Sequence, residues 1–118
     1  MENYKLVLRG DLNQHGYLFG GNLLKWIDEY AWIAASLEFQ GCNFVTIGMD
    51  HVIFKKSVKE GSILKFDIRK SKQGTTSVQY QVEVYCNNMD SRTAELVFSN
   101  QITFVRIDQN GNKIPITG

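Results

Sequence analysis

The chain has 118 residues, 43% of them apolar and 12% aromatic, with a formal net charge of +1, which suits one compact domain (1–118) with a small core and leaves no material for a second. Lys, Arg, Asp and Glu are evenly scattered, so no stripe exists for nucleic acid or an anionic membrane, whereas an anionic small molecule stays open as a partner. The opening MENYKLVLRG has no apolar leader core, and no run nears the about 18 apolar residues of a membrane span, so a soluble cytoplasmic protein is expected. Cys42 and Cys86 share no metal-like spacing with His15 and His51; reduced thiols, no disulfide and no zinc are expected.

In chain order, YKLVLR (4–9) alternates as a short strand and is followed by a turn-rich loop holding Gly10, Asp11, Asn13 and Gly16. An apolar helix begins near Gly21 and runs to about residue 39. From Asn43 onward the texture turns β-branched and aromatic, in FVTIGMDHVIF, SILKFDIRKS, SVQYQVEVYC and AELVFSNQITFVRI. The segments KEGS, KQGT and CNNMDS are of hairpin length, which predicts an antiparallel meander of four strands. The polar tail DQNGNKIPITG, with the only proline, suits a hairpin end or a frayed terminus.

At about 100° per residue, the helix gathers Asn22, Lys25, Glu29 and Ser36 in one polar stripe. Leu23, Leu24, Trp26, Ile27, Tyr30, Ala31, Trp32, Ile33, Ala34, Ala35 and Leu37 fill most of the rest. That pattern predicts a helix surrounded by protein, as inside a curled sheet. Asp28 falls in the apolar arc, between Leu24 and the Ala31–Trp32 pair, so partial burial is expected. An ionised carboxylate costs several kcal/mol to bury without compensation. Either it is a satisfied structural acid, bonded to a loop or a second subunit, or the protein uses it. Glu38 shares the arc but sits in the last turn, where its stem can reach water. Gly20 and Gly21 expose backbone N–H groups at the positive end of the helix dipole, a place to hold an oxyanion; close packing or a sharp entry turn would need the same pair.

These residues carry a resemblance. Asn13-x-x-Gly16-x-x-x-Gly20-Gly21, followed by Trp26-Ile27-Asp28-Glu29-x-Ala31, resembles the signature of hotdog-fold acyl-CoA thioesterases. Val45-Thr46, Asp50-x-Val52-x-Phe54, Val58-x-x-Gly61 and Gly74-x-Thr76-Ser77 follow in that family's order and with similar spacing, so the likeness spans roughly residues 5 to 105. It implies an α+β hotdog fold, an antiparallel sheet wrapped around one long central helix, in a homodimer or a dimer-based higher oligomer with active sites at the subunit interface. It further implies Asp28 as general base or nucleophile, Asn13 reaching the thioester from the other subunit, and the backbone N–H of Gly21 with Gly20 as oxyanion donors. Where other hotdog thioesterases place a loop Asp, this chain has Asn13, so the acid must come from the helix.

By the same resemblance the substrate is an acyl-CoA thioester, hydrolysed to free acid and CoA without metal or bound cofactor. Lys55, Lys56, Lys70 and Lys72 are candidates for the CoA phosphates, each equally a solvated strand-edge lysine, and the turn Gly74, Thr75, Thr76 and Ser77 is the candidate lining of the pantetheine path. A non-catalytic acyl-CoA-binding module is the alternative. A hotdog enoyl-CoA hydratase is disfavoured because Asp11-x-x-x-His15 is one residue short of that family's Asp and His pair. His15 then reads as a loop residue and His51 as a packed or hydrogen-bonded strand histidine.

Overall fold

The computed structural model describes residues 1–87 and 94–116. Its elements are β1 (Glu2–Leu6), a single 3-10 turn (Arg9–Asp11), α1 (Gly20–Glu38), β2 (Asn43–Phe54), β3 (Ile63–Gln73), β4 (Ser77–Asn87) and β5 (Glu95–Ile107). All strand pairs are antiparallel and form one sheet in the order β1-β3-β4-β5-β2. The helix lies against one face of this sheet, the arrangement that the resemblance implies. No helix among the described residues is long and apolar enough to cross a membrane.

The helix packs because its apolar side chains recur at helical spacing. Leu23, Trp26, Ile27, Ala31, Ala34 and Ala35 are buried, and the three alanines let the helix axis come close to the strands. Facing them, the period-2 pattern of β4 turns Val78, Tyr80, Val82, Val84 and Cys86 inward. The neighbouring strands add Leu64, Phe66 and Ile68 from β3 and Phe98, Ile102 and Phe104 from β5.

Three expectations need correction. The strand near the N-terminus begins earlier and ends at Leu6, because Glu2 pairs with Asp67 and the terminal ammonium donates to the Ile68 carbonyl. The four later strands are not a meander: β3, β4 and β5 are, but β2 pairs with β5. KEGS is therefore no hairpin. It belongs to a crossover that is tied to the N-terminal loop by Val7 N–H to Ser62 O, Gly61 N–H to Val7 O and Leu18 N–H to Val58 O, with Val58 buried beneath. The third correction concerns the helix, which its own sheet covers on one side only. Trp32, Ile33 and Leu37 stay 42%, 39% and 59% exposed.

Of the other turns, KQGT does close a hairpin, where Gly74 N–H bonds Ser77 O; in CNNMDS (86–91), Cys86 and Asn87 still belong to β4 and the rest lies outside the described residues. The tail turns back at Asp108–Asn112, and Ile107 bridges to Lys113.

Glu38, at the far end of the helix, reaches solvent as expected and is clamped as well. Glu38 accepts the Tyr80 hydroxyl at 2.7 Å and pairs with Lys70 Nζ at 2.6 Å, and Lys70 also lies 5.2 Å from the Phe39 ring centre. Burial resists ionisation of Glu38, but Lys70 and Tyr80 outweigh it and hold the carboxyl below its ordinary value. A group whose pKa is depressed by folding stabilises the native state above its unfolded pKa and loses that contribution as the pH falls through the folded one. Tyr80→Phe is expected to destabilise by about 1 kcal/mol at pH 7, below the full worth of a hydrogen bond to a charged group because solvent screens the exposed Glu38, and by less in acid. Urea unfolding at pH 7 and pH 3 measures both; an equal loss at the two pH values would remove Glu38 from the account.

Candidate active site

Phe19 is the N-cap of α1 and supplies no side-chain cap. Asn22 and Leu23 donate their N–H groups back to Phe19 O, while the N–H groups of Gly20 and Gly21 have no partner among the described residues. Ordinary helices close this end with Ser, Thr, Asp or Asn. Here two donors stay open at the positive end of the dipole. The glycines differ in what surrounds them. A Cβ on Gly20 would rest at 3.7 Å from the Phe54 ring, ordinary contact, whereas one on Gly21 would fall 2.7 Å from the Phe19 ring and displace it.

The loop before the helix is knitted by Asn13. Its Oδ1 accepts the N–H of His15 at 2.9 Å and of Tyr17 at 3.2 Å, and its own N–H donates to Tyr17 O at 2.7 Å. With the side-chain oxygen committed, the amide is fixed so that Nδ2 is the end left to meet a ligand, and it can only donate. Asn13, His15, Tyr17, Gly20, Leu23, Phe54, Lys55 and Lys56 line one cleft of about 480 Å³. Lys56 is already paired with Glu95 at 2.8 Å; Lys55 has no such partner among the described residues.

Asp28 is half-buried, as its place on the wheel predicts, and lies about 12 Å further along the helix from Gly20 at 1.5 Å per residue. Its Oδ1 accepts the Thr46 hydroxyl at 2.6 Å. Trp32 Nε1 donates to Phe44 O at 3.1 Å, holding the start of β2 against the same stretch of helix. Asp28, Glu29, Trp32, Ile33 and Thr46 line a second, smaller depression of about 390 Å³.

Within one chain, therefore, Asn13, Gly20, Lys55 and Lys56 come together, and Asp28 does not join them. The turn Gly74–Ser77 lies at the opposite end of the sheet from Lys55. Ser77 pairs with Val105 and Val105 with Val45, whereas Phe54 pairs with Phe98, so roughly 30 Å of β2 separates the two ends at about 3.3 Å per residue. The turn itself is rigid. Thr75 O and Thr76 O accept the N–H groups of Ile116 and Arg106, and a Cβ on Gly74 would come within 2.9 Å of Ser77 Oγ. Lys72 stands two residues before it, exposed on β3 opposite Gln79. Thr46 went unrecognised as a partner of Asp28, since Val45-Thr46 carried only the resemblance.

Between these two groups of residues runs β2, with Thr46 beside Asp28 and Phe54 in the Asn13 cleft. It is an edge strand of 12 residues, and Val45, Ile47, Val52, Ile53 and Phe54 on it are 38–56% exposed. A long apolar edge is a template for another strand. If two copies pair these edges antiparallel about a two-fold axis, the Thr46 end of one faces the Phe54 end of the other. Asp28 and the Gly74–Ser77 turn of one chain are thereby brought towards Asn13, Gly20 and Lys55 of its partner.

Comparison with known proteins identifies the family and the fold. A family model of the thioesterase superfamily matches residues 15–92. The chain is 32% identical over 106 residues, 90% of its length, to an uncharacterized acyl-CoA thioester hydrolase of Bacillus subtilis (strain 168), and it spans 61% of that relative. It superposes with a TM-score of 0.89 at 31% identity on an acyl-CoA hydrolase from Staphylococcus aureus solved with butyryl coenzyme A, coenzyme A and coenzyme A disulfide, covering 100% of this chain and 71% of the other. A hexameric hotdog fold thioesterase of Campylobacter jejuni is similar at a TM-score of 0.88 and 34% identity, over 98% of this chain and 88% of the other.

Proposed function

The chain belongs to the thioesterase superfamily and has the hotdog fold, and on that premise we propose that it hydrolyses acyl-CoA thioesters to a free acid and CoA, in a site shared between two copies. The observation that carries this reading is the separation of the site's halves within one chain, together with the exposed β2 edge whose pairing would unite them. The names of its relatives support the substrate class.

In the proposed reaction the thioester carbonyl lies between Asp28 of one chain and the helix start of its partner. The N–H groups of Gly21 and Gly20 and the Nδ2 of Asn13 donate to the carbonyl oxygen, and one such donor is worth about 2.7–4 kcal/mol in the transition state. Asp28, oriented by Thr46, either takes a proton from the water that attacks the carbonyl carbon or attacks that carbon itself to form an anhydride that water then opens. On both routes the carbon–sulfur bond breaks and CoA leaves as the thiolate. Lys55 is the better placed of the two cleft lysines to meet a CoA phosphate, because Glu95 already neutralises Lys56. Gly74–Ser77 and Lys72 would line the CoA path from the subunit that supplies Asp28.

Thiol release from a series of acyl-CoA thioesters tests the reading. The purified protein is expected to release one thiol per acid formed on at least one of them. CoA binding without release from any would leave an acyl-CoA-binding module in its place.

A further inference from the structure

Asn100 is 0% exposed within its own chain, and neither Oδ1 nor Nδ2 of its amide has a hydrogen-bond partner among the described residues. Its inward neighbours on β5 are Phe98, Ile102 and Phe104, all equally buried. An unmet amide in such a place costs more than an apolar side chain of the same shape, so its presence asks for a reason. No second copy can reach a group that its own chain already encloses. The strand beside it carries a second anomaly. Asp50 pairs with Gln101 and Ile53 with Ser99, so two residues of β2, His51 and Val52, face Asn100 alone. His51 is the one non-glycine residue among those described with a positive φ, 53°. Such a bulge leaves the backbone groups of its extra residue outside the ladder. An unmet amide and unladdered peptide groups thus lie side by side, and one water, which both donates and accepts, satisfies them together.

The bulge reaches the candidate site through parity, because successive residues of a regular strand face opposite ways. Met49 packs against the core on the helix side. Phe54 is on that side too: its ring stacks on Phe98 at 4.7 Å and lies 3.7 Å from where a Cβ on Gly20 would sit. Five residues apart, the two side chains share a face only because one extra residue stands opposite Asn100. In a regular strand Phe54 would turn to the outer face and leave the cleft that it lines with Asn13 and Gly20. We propose that Asn100 is a positioning residue that holds one ordered water against the His51–Val52 bulge and thereby keeps Phe54 in the Asn13 cleft. Its consequence for turnover rests on the reading of that cleft as the oxyanion half of a thioesterase site; the water and the bulge stand apart from that reading.

Asn100→Thr and Asn100→Val test it, since the two new side chains have the same β-branched shape and differ in one hydroxyl. Threonine can still bind the water and valine cannot, while any packing change is common to both. Backbone amides of residues 51–54 are expected to exchange with solvent about tenfold faster in Asn100→Val than in Asn100→Thr, with those of β4 alike in the two. Asn100→Val should also melt about 5 °C lower than Asn100→Thr. Well below melting, kcat/KM on the acyl-CoA thioester that the wild type turns over fastest should fall about tenfold or more in Asn100→Val and stay within about threefold in Asn100→Thr. A merely structural role would lower the melting temperature without moving the turnover of the folded enzyme. A crystal structure of the wild type reads the water directly, within about 3.2 Å of the Asn100 amide. An amide with no water there, or Asn100→Val matching Asn100→Thr in exchange and turnover alike, overturns the proposal. Water and exchange as expected, with no thiol released by the wild type from any acyl-CoA, overturns instead the thioesterase reading.

Discussion

Asp28→Asn is expected to abolish nearly all thiol release, by about 10²–10⁴-fold, while leaving the fold and CoA binding in place. The range is what a positioned general acid–base group typically contributes. Asparagine fills almost the same space and keeps an oxygen where Oδ1 accepts the Thr46 hydroxyl, so the side chain should stay oriented. What it lacks is the charge that takes a proton or attacks carbon. Removing a half-buried charge costs the native state nothing in desolvation, so stability should hold or rise. Loss of activity with unchanged thermal unfolding and unchanged CoA titration would therefore locate the defect in the chemical step. Hydrolysis near the wild-type rate would reduce Asp28 to a structural acid that ties the helix to β2 through Thr46.

Much of the architecture is legible in the amino-acid order because the two periodicities are strong. The helix is found from Gly20 to Glu38, starting one residue before the expected Gly21, and the alternation of SVQYQVEVYC becomes the buried and half-buried alternation of β4. Asp28 stands out on a wheel because it interrupts the apolar arc in mid-helix, away from the last turn where Glu38 lies, and its half-burial agrees. Thr46 could not be found that way. It lies 18 residues further on, in a strand whose alternation says which face a residue takes but not which helix side chain it meets.

The same limit explains the strand order. Connection length argues for neighbours, and the short KEGS segment reads as a hairpin, yet β2 crosses to the far edge and pairs with β5. Its ladder slips register between Thr46 and Gly48 and again between Asp50 and Ile53, where His51 takes a φ of 53°. Such bulges bend a strand locally, and no local sequence rule places them. Nor can a wheel tell whether an apolar arc is covered by the chain's own sheet or by another copy. Trp32, Ile33 and Leu37 belong to that arc and are left open by their own chain.

That open side leads to the second large effect. An exposed apolar edge of 12 residues beside an exposed helix face is what a second copy would cover. Two-fold pairing of β2 would then build each site from Asp28 of one chain and Asn13 with the Gly20–Gly21 amides of the other. Two inactive variants should complement each other: Asn13→Ala lacks the donor aimed at the carbonyl, Asp28→Ala lacks the acid, and a mixed dimer of the two has one intact site. With equal amounts and random exchange, about a quarter of all sites have both groups. The decisive measurement is thiol release from such a mixture after subunit exchange has been verified by native mass spectrometry. Recovery to about a quarter of the wild-type rate is the result predicted for a site shared between chains; mixed dimers present in quantity with activity no higher than the two variants alone would contradict it.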